Sequence, residues 1–137
     1  MSDIRVNASP AGILKGKHVM VVEDSGVLCC MLAEILSSAG CTLAGPYTHV
    51  EEAIEAAKTS DLDAALLDIR VRGKLVSPVA QELERRSVPI LLTSAYQVED
   101  IPRSLRHAAF LRKPFTEDDV LERLTTLLMP QSIAMTT

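Results

Sequence analysis

The chain has 137 residues, of which 47% are hydrophobic and 23% are charged, and this composition is typical of one globular domain rather than a disordered chain. Its formal net charge is -4, so it has no basic field that would attract nucleic acid as a direct partner. Because no apolar run approaches the ~18 residues of a membrane span and no secretory leader is visible, we expect a cytoplasmic protein that does not bind a membrane.

Short apolar runs alternate with helical patterns from Lys17 onward. We predict strands at 18–22, 41–44, 64–68, 89–93 and 109–112, and helices at 26–39, 49–58, 78–86 and 117–129. This alternation is typical of βαβ units, which place helices on both faces of a parallel five-stranded sheet. The predicted domain is 17–129. Residues 1–16 lack sustained periodicity and are expected to form a flexible arm, and 130–137 form a tail too short to fold alone.

Two predicted helices begin with a hydroxyl residue followed three positions later by a carboxylate, which is the pattern of a capping box. The pairs are Thr48 with Glu51 and Thr116 with Asp119. Gly40 follows the first long helix, where a left-handed residue commonly ends a helix. These signals support the predicted helix ends.

The segment from Gln97 to Ala108 should hold the fourth crossover helix, but its pattern is weak. It contains Pro102, and a proline inside a helix costs about 3 kcal/mol. We therefore expect a short or mobile fourth helix, which could form only after Pro102.

Polar side chains follow four of the five predicted strands. Glu23 and Asp24 follow the first strand, Asp68 closes the third, Thr93 closes the fourth and Lys113 follows the fifth. The carboxyl ends of parallel strands meet at one edge of the sheet, where open α/β sheets bind ligands. Each residue alone is ordinary, as a turn acid, a strand threonine or a solvated lysine, but the set predicts a site.

Three carboxylates at one edge repel one another, and a hard divalent cation relieves that repulsion. Mg²⁺ suits such a site because it takes carboxylate oxygens while keeping waters and a phosphate oxygen. Asp68 could then attack a phosphoryl donor and form an acyl phosphate. Lys113 and Thr93 would help to neutralise the charge on the phosphoryl oxygens.

These motifs together resemble the receiver domain of two-component response regulators over about residues 17–129. The residues that carry the resemblance are Glu23-Asp24, Asp68 within Leu-Leu-Asp-Ile-Arg, Thr93, and Lys113-Pro114-Phe115. It implies an α/β fold with a doubly wound, five-stranded parallel sheet in the flavodoxin-like order 2-1-3-4-5. It also implies a cis bond at Arg112-Lys113 or at Lys113-Pro114. The second is favoured because cis costs only ~0.5–1 kcal/mol before proline.

The same resemblance implies roles for the site residues. Asp68 would be the phosphoacceptor, and Mg²⁺ would be held by Glu23 or Asp24, by Asp68 and by the backbone carbonyl of Arg70. Lys113 would contact the phosphoryl group. The donor would be a histidine kinase or a histidine phosphotransfer protein, and an unknown downstream protein would read the signal. No enzyme activity is expected beyond self-phosphorylation and self-dephosphorylation.

A narrower resemblance lies in the run from Leu91 to Tyr96. It is similar to the Phe-Ala-Thr-Gly-x-Tyr pattern of atypical alphaproteobacterial receivers, whose fourth helix is often short or disordered. The switch position on the fifth strand is Phe110, which lacks the hydroxyl of a tyrosine, so switching is expected to involve Tyr96 instead. The predicted switch residues are thus Thr93, Tyr96 and Phe110. The alternative to a switching role for Tyr96 is that its ring is simply half-buried, as tyrosine rings ordinarily are. The Arg70 side chain either reaches the site or is a solvated arginine.

Three functions are compatible with the sequence. We expect a stand-alone receiver, because the chain ends within ten residues of its last predicted helix. It would act by phosphorylation-dependent binding, as a phosphorelay shuttle or as a phosphate sink. The enzymatic rival is a haloacid-dehalogenase-like phosphohydrolase, which needs a second Asp where this chain has Arg70. The third is a phosphorylation-independent binding module, for which an intact set of site residues would be unnecessary.

Overall fold

The computed structural model describes residues 10–95, 97, 99 and 101–130. Its main sheet has five parallel strands, which are β1 His18–Val22, β2 Thr42–Tyr47, β3 Ala64–Asp68, β4 Ile90–Ser94 and β5 Ala109–Arg112. Their order in the sheet is β2-β1-β3-β4-β5. The predicted flavodoxin-like order is therefore confirmed.

Helices cover both faces of the sheet. They are α1 Pro10–Leu14, α2 Gly26–Ser38, α3 Val50–Thr59, α4 Ser77–Arg85 and α5 Glu117–Leu128. Successive strand side chains point to opposite faces, so Val19 and Val21 pack with α1, α2 and α5 while Met20 and Val22 pack with α3 and α4. Among the described residues, no helix is long and apolar enough to cross a membrane.

Part of the predicted flexible arm is folded, which corrects the expectation for residues 10–14. Residues 10–14 form α1, in which Ile13 is 9% and Leu14 is 0% exposed, and both pack in the cluster that contains α5. A five-residue helix is too short to show a periodic pattern, so only its tertiary burial identifies it. Residues 1–9 and 131–137 lie outside the described part of the chain.

The two capping predictions have different outcomes. At α5 the Thr116 hydroxyl accepts from the Asp119 N–H at 3.1 Å and the Asp119 carboxylate accepts from the Thr116 N–H at 2.9 Å, so that capping box is confirmed. At α3 the prediction is wrong, because the N-cap residue is His49 and it makes no side-chain cap bond. The Thr48 hydroxyl instead lies 3.1 Å from Nδ1 of His49.

A two-stranded antiparallel hairpin follows β3 and was not predicted from the sequence. Its strands are Arg70–Val71 and Lys74–Leu75, and its two turn residues, Arg72 and Gly73, have φ values of +52° and +79°. Positive φ at both central positions is the geometry of a tight hairpin turn that follows the twist of its strands. Glycine suits this turn, whereas an arginine there needs other contacts to hold it.

In the described part of the fourth crossover, Arg103–Leu105 form a short 3₁₀ helix, which begins directly after Pro102. Arg106 supports this crossover, since its guanidinium donates from Nε to the Ile101 carbonyl and from Nη2 to the Glu99 carbonyl, both at 2.8 Å. The predicted short fourth helix is therefore confirmed. The peptide bond between Lys113 and Pro114 is cis, as favoured from the sequence, and so is that between Gly45 and Pro46.

Candidate functional site

Strand register brings the predicted polar residues to the carboxyl edge of the sheet. Val22 at the end of β1 lies opposite Leu67, and Asp68 lies opposite Thr93 across the β3–β4 pair. Glu23 and Asp24 therefore leave the sheet beside Asp68. The parallel arrangement of consecutive buried strands is what places residues from distant parts of the sequence together.

Carboxylates from three residues form a cluster at this edge. One oxygen each from Glu23, Asp24 and Asp68 lie within 4.8 Å of one another. Glu23 is only 2% exposed, whereas Asp24 is exposed to solvent. Burial raises the pKa of Glu23 and the charge of Asp68 adds to the increase, although hydrogen bonds from the Ser25 N–H and from Lys113 act in the opposite direction.

Lys113 joins two of these acids. Its ammonium Nζ lies 2.9 Å from Oδ2 of Asp68 and 3.0 Å from Oε1 of Glu23. Burial alone would lower the pKa of Lys113, but the hydrogen bonds and charges of Asp68 and Glu23 outweigh it and raise that pKa. The Lys113 backbone N–H also donates to the Ser94 carbonyl at 2.8 Å. The ammonium is therefore held in its charged form beside Asp68.

The backbone and side chain of Glu23 are fixed by nearby hydrogen bonds. Its N–H donates to the Tyr47 carbonyl at 3.0 Å, and its Oε2 accepts from the Ser25 N–H at 3.0 Å. The Cys29 thiol donates to the Glu23 carbonyl at 3.2 Å. Ser25 is also the N-cap of α2, where its hydroxyl accepts from the Leu28 N–H at 3.3 Å. The start of α2 thus fixes the position of this acid.

Asp24 is held from the hairpin that follows β3. Its Oδ2 accepts a hydrogen bond of 2.7 Å from the backbone N–H of Arg72, and the Arg72 guanidinium donates from Nε to the Thr48 carbonyl at 2.8 Å. The sequence pointed to Arg70 as the arginine near the site and gave no indication of Arg72. Only Gly73 indicated a turn there, and nothing in the sequence showed that the turn would reach Asp24.

The remaining predicted residues occupy different environments. Thr93 is 3% exposed at the end of β4, next to Asp68. Arg70 is exposed, and its N–H lies 3.4 Å from Oδ1 of Asp68. Phe110 packs partly buried against the core cluster on the α3 and α4 side, and its carbonyl accepts from Arg123. Tyr96, the other predicted switch residue, lies outside the described residues.

The cluster has the donor chemistry of a site for a hard divalent cation. Its three carboxylates carry more negative charge than the single ammonium of Lys113 neutralises. Carboxylate and carbonyl oxygens are the ligands that Mg²⁺ prefers, and Mg²⁺ usually keeps open positions for water and phosphate. The residues present therefore fit this ion.

Comparison with known proteins agrees with this arrangement. The family model of the response regulator receiver domain matches residues 19–125. The transcriptional regulatory protein TcrA of Mycobacterium tuberculosis is 32% identical over 121 residues, covering 85% of this chain but only 47% of TcrA. The chain thus spans about half the length of that relative.

Solved structures show the same fold. SdrG from Sphingomonas melonis Fr1 is 30% identical with a TM-score of 0.74, covering 83% of this chain and 98% of SdrG. The receiver domain of the sensor histidine kinase PA1611 from Pseudomonas aeruginosa is 22% identical with a TM-score of 0.68, covering 82% of this chain and 98% of that domain. The PA1611 structure has a magnesium ion coordinated in its active-site cleft. From the family match and the strand-end site, the chain belongs to the response regulator receiver domain family.

Proposed function

We propose that this receiver domain accepts a phosphoryl group on Asp68 from the phosphohistidine of a histidine kinase or a histidine phosphotransfer protein. The observation that carries the proposal is the contact of the Lys113 ammonium with both Asp68 and Glu23 beside a cluster of three carboxylates. Family membership supports the same reading. The relative with magnesium in its cleft supports Mg²⁺ as the cofactor.

Asp68 has the environment of a nucleophile. Its side chain is 12% exposed, so a phosphoryl donor can reach it, and the Lys113 ammonium lies 2.9 Å from its Oδ2. A carboxylate oxygen forms the new P–O bond while the P–N bond to the donor imidazole breaks. The electron pair of that bond returns to the imidazole nitrogen. Lys113 is placed to stay with the oxygens of the transferred phosphoryl group.

Glu23 or Asp24, Asp68 and the backbone carbonyl of Arg70 would hold the cation. When bound, Mg²⁺ would neutralise charge on the phosphoryl oxygens during transfer. The buried Glu23 and the hydrogen-bonded Asp24 are suited to this because both carboxylates are already oriented by backbone N–H groups. The haloacid-dehalogenase-like alternative needs a second Asp at position 70, where this chain has an arginine, so the sequence argues against it.

Readout would follow as a population shift in the fourth crossover. Thr93 is adjacent to Asp68 in the sheet, and the described residues between Ser94 and Ala108 include the short 3₁₀ helix Arg103–Leu105. Phosphorylation would draw the Thr93 hydroxyl toward the phosphoryl group and remodel this segment, with Tyr96 and Phe110 as switch residues. The short crossover and the similarity to SdrG support the proposed atypical subgroup.

The signal would pass by phosphorylation-dependent protein binding, phosphorelay or phosphate-sink action, and we propose that this occurs in the cytoplasm.

Phosphorylation is tested with acetyl phosphate, a small phosphoryl donor, and intact-mass spectrometry. With Mg²⁺ the wild-type chain should gain one phosphoryl group and Asp68→Ala none. Asp61→Ala, which removes an exposed acid just before β3, is the matched control and should label normally. Equal labelling of the wild type and Asp68→Ala would overturn the proposal, and sustained hydrolysis of phosphomonoesters would favour the phosphohydrolase.

A further inference from the structure

The hairpin after β3 makes two contacts that reach across the carboxyl edge of the sheet. Both come from Arg72, which binds Asp24 through its backbone N–H and the Thr48 carbonyl through its guanidinium. We propose that Arg72 is a positioning residue for the cation site, because its backbone N–H orients the Asp24 carboxylate. This inference rests on the proposed function, because it assumes that Asp24 belongs to a Mg²⁺ site.

The contact with Asp24 has the geometry of a charge-assisted hydrogen bond. The Arg72 nitrogen lies 2.7 Å from Oδ2 of Asp24, although the two residues are 48 positions apart. Bonds of this length between an N–H and a carboxylate are about twice as strong as neutral ones. Asp24 is exposed, so without this bond its side chain would be free to sample other rotamers. The N–H therefore limits the orientations of the carboxylate.

The Arg72 backbone is itself in an unusual conformation. Its φ of +52° lies in the left-handed region, which is unfavourable for a residue that has a Cβ atom. The guanidinium contact at 2.8 Å to the Thr48 carbonyl holds the tip of the hairpin against the loop between β2 and α3. This contact keeps the backbone N–H directed at Asp24, so the side chain and backbone of one residue act together.

A further contact ties the same hairpin to α3 without involving Glu23, Asp24 or Asp68. The Lys74 ammonium pairs with the Glu51 carboxylate. Lys74 has the same charge as Arg72 and lies two residues away, but it does not bind Asp24. It therefore provides a control for the loss of one positive charge and for the loss of one hairpin contact.

Groups that orient metal ligands commonly affect affinity strongly, and replacing them typically weakens metal binding by about 10–100-fold. We expect Arg72→Ala to weaken Mg²⁺ binding by about 10-fold compared with Lys74→Ala. Loss of a positive charge near the site would by itself tighten Mg²⁺ binding in both variants. A role through charge and a role through orientation therefore predict opposite changes for Arg72→Ala.

Arg72→Gly separates the guanidinium contact from the turn. Glycine keeps the backbone N–H and readily adopts the left-handed conformation, so the turn is retained while the contact with Thr48 is lost. We expect Arg72→Gly to bind Mg²⁺ less tightly than the wild type but more tightly than Arg72→Ala. Because glycine also relieves the backbone strain, this variant remains informative if Arg72→Ala lowers thermal stability.

The experiment is a calorimetric titration of each metal-free full-length variant with Mg²⁺ alone, including Asp24→Asn and the double variant Asp24→Asn/Arg72→Ala. If Arg72 acts through Asp24, replacing Arg72 does not weaken Mg²⁺ binding any further in the Asp24→Asn background. The inference is overturned if Arg72→Ala binds Mg²⁺ as tightly as Lys74→Ala, or if Arg72→Ala weakens the Asp24→Asn protein by another 10-fold. A wild-type chain that binds no Mg²⁺ would overturn the proposed function as well, so the two failures are distinguishable.

Discussion

The Lys113 ammonium lies 2.9 Å from Oδ2 of Asp68, although the two residues are 45 positions apart in the sequence. The same ammonium lies 3.0 Å from Oε1 of Glu23, which is 90 positions away. The Lys113 ammonium therefore connects the ends of β1, β3 and β5. This connection is part of the proposed phosphoryl site and also contributes to the stability of the folded chain.

Lys113→Met should lower the free energy of unfolding by about 2 kcal/mol, because it leaves the buried Glu23 and the partly buried Asp68 without their shared cation. The pKa of Lys113 is raised, so the loss should be complete below the ordinary lysine pKa of about 10.4 and should shrink as the pH rises through the raised value. Urea unfolding at several pH values measures this. Lys15→Met, at an exposed position, is the control, and an equal effect of both changes would contradict the prediction.

Glu23→Gln should change the pH dependence of stability in the acid range. Burial raises the pKa of Glu23 above its ordinary value. At pH values between the ordinary and the raised pKa, the Glu23 carboxyl is therefore protonated to a greater extent in the folded chain than in the unfolded chain. The wild type should therefore lose stability relative to Glu23→Gln as the pH rises through that window. Unfolding in EDTA across the acid range measures the difference. A difference that does not vary with pH would contradict this prediction.

Leu14→Ala should destabilise the chain by about 2–4 kcal/mol, because Leu14 is fully buried against the cluster that contains α5. The expected result follows from α1 being part of the domain rather than an arm. Thermal and urea unfolding measure it, with Lys15→Ala at the neighbouring exposed position as the control. A change below about 0.5 kcal/mol would mean that residues 10–14 do not pack in solution as they do in this structure.

The sequence predicted the main sheet because each buried strand is a run of apolar residues bounded by helical patterns. It also predicted that Asp68, Lys113 and the acidic pair would meet, since parallel strands align their carboxyl ends. The hairpin at residues 70–75 was missed because its strands are two residues long and carry no periodic signal. The bond from Arg72 to Asp24 depends on backbone geometry between distant segments, which residue types do not encode locally.

Beryllofluoride, which mimics a bound phosphoryl group, should change amide hydrogen exchange between Ser94 and Ala108 when it is added with Mg²⁺. The 3₁₀ turn at Arg103–Leu105 in this segment, held by Arg106, has fewer internal bonds to lose than the long helices have. Exchange in α2 serves as the internal reference, and Asp68→Ala should show no response. Unchanged exchange in the wild-type segment would count against the proposed switching.

Asp68 is the residue that we propose to carry the phosphoryl group. The most direct measurement is borohydride reduction of the chain after incubation with acetyl phosphate and Mg²⁺, followed by peptide sequencing in a mass spectrometer, because the hydride reduces an acyl phosphate but not a free carboxylate. We predict a reduced residue at position 68 and unmodified side chains at Glu23 and Asp24. Reduction at another carboxylate, with Asp68 intact, would contradict this prediction.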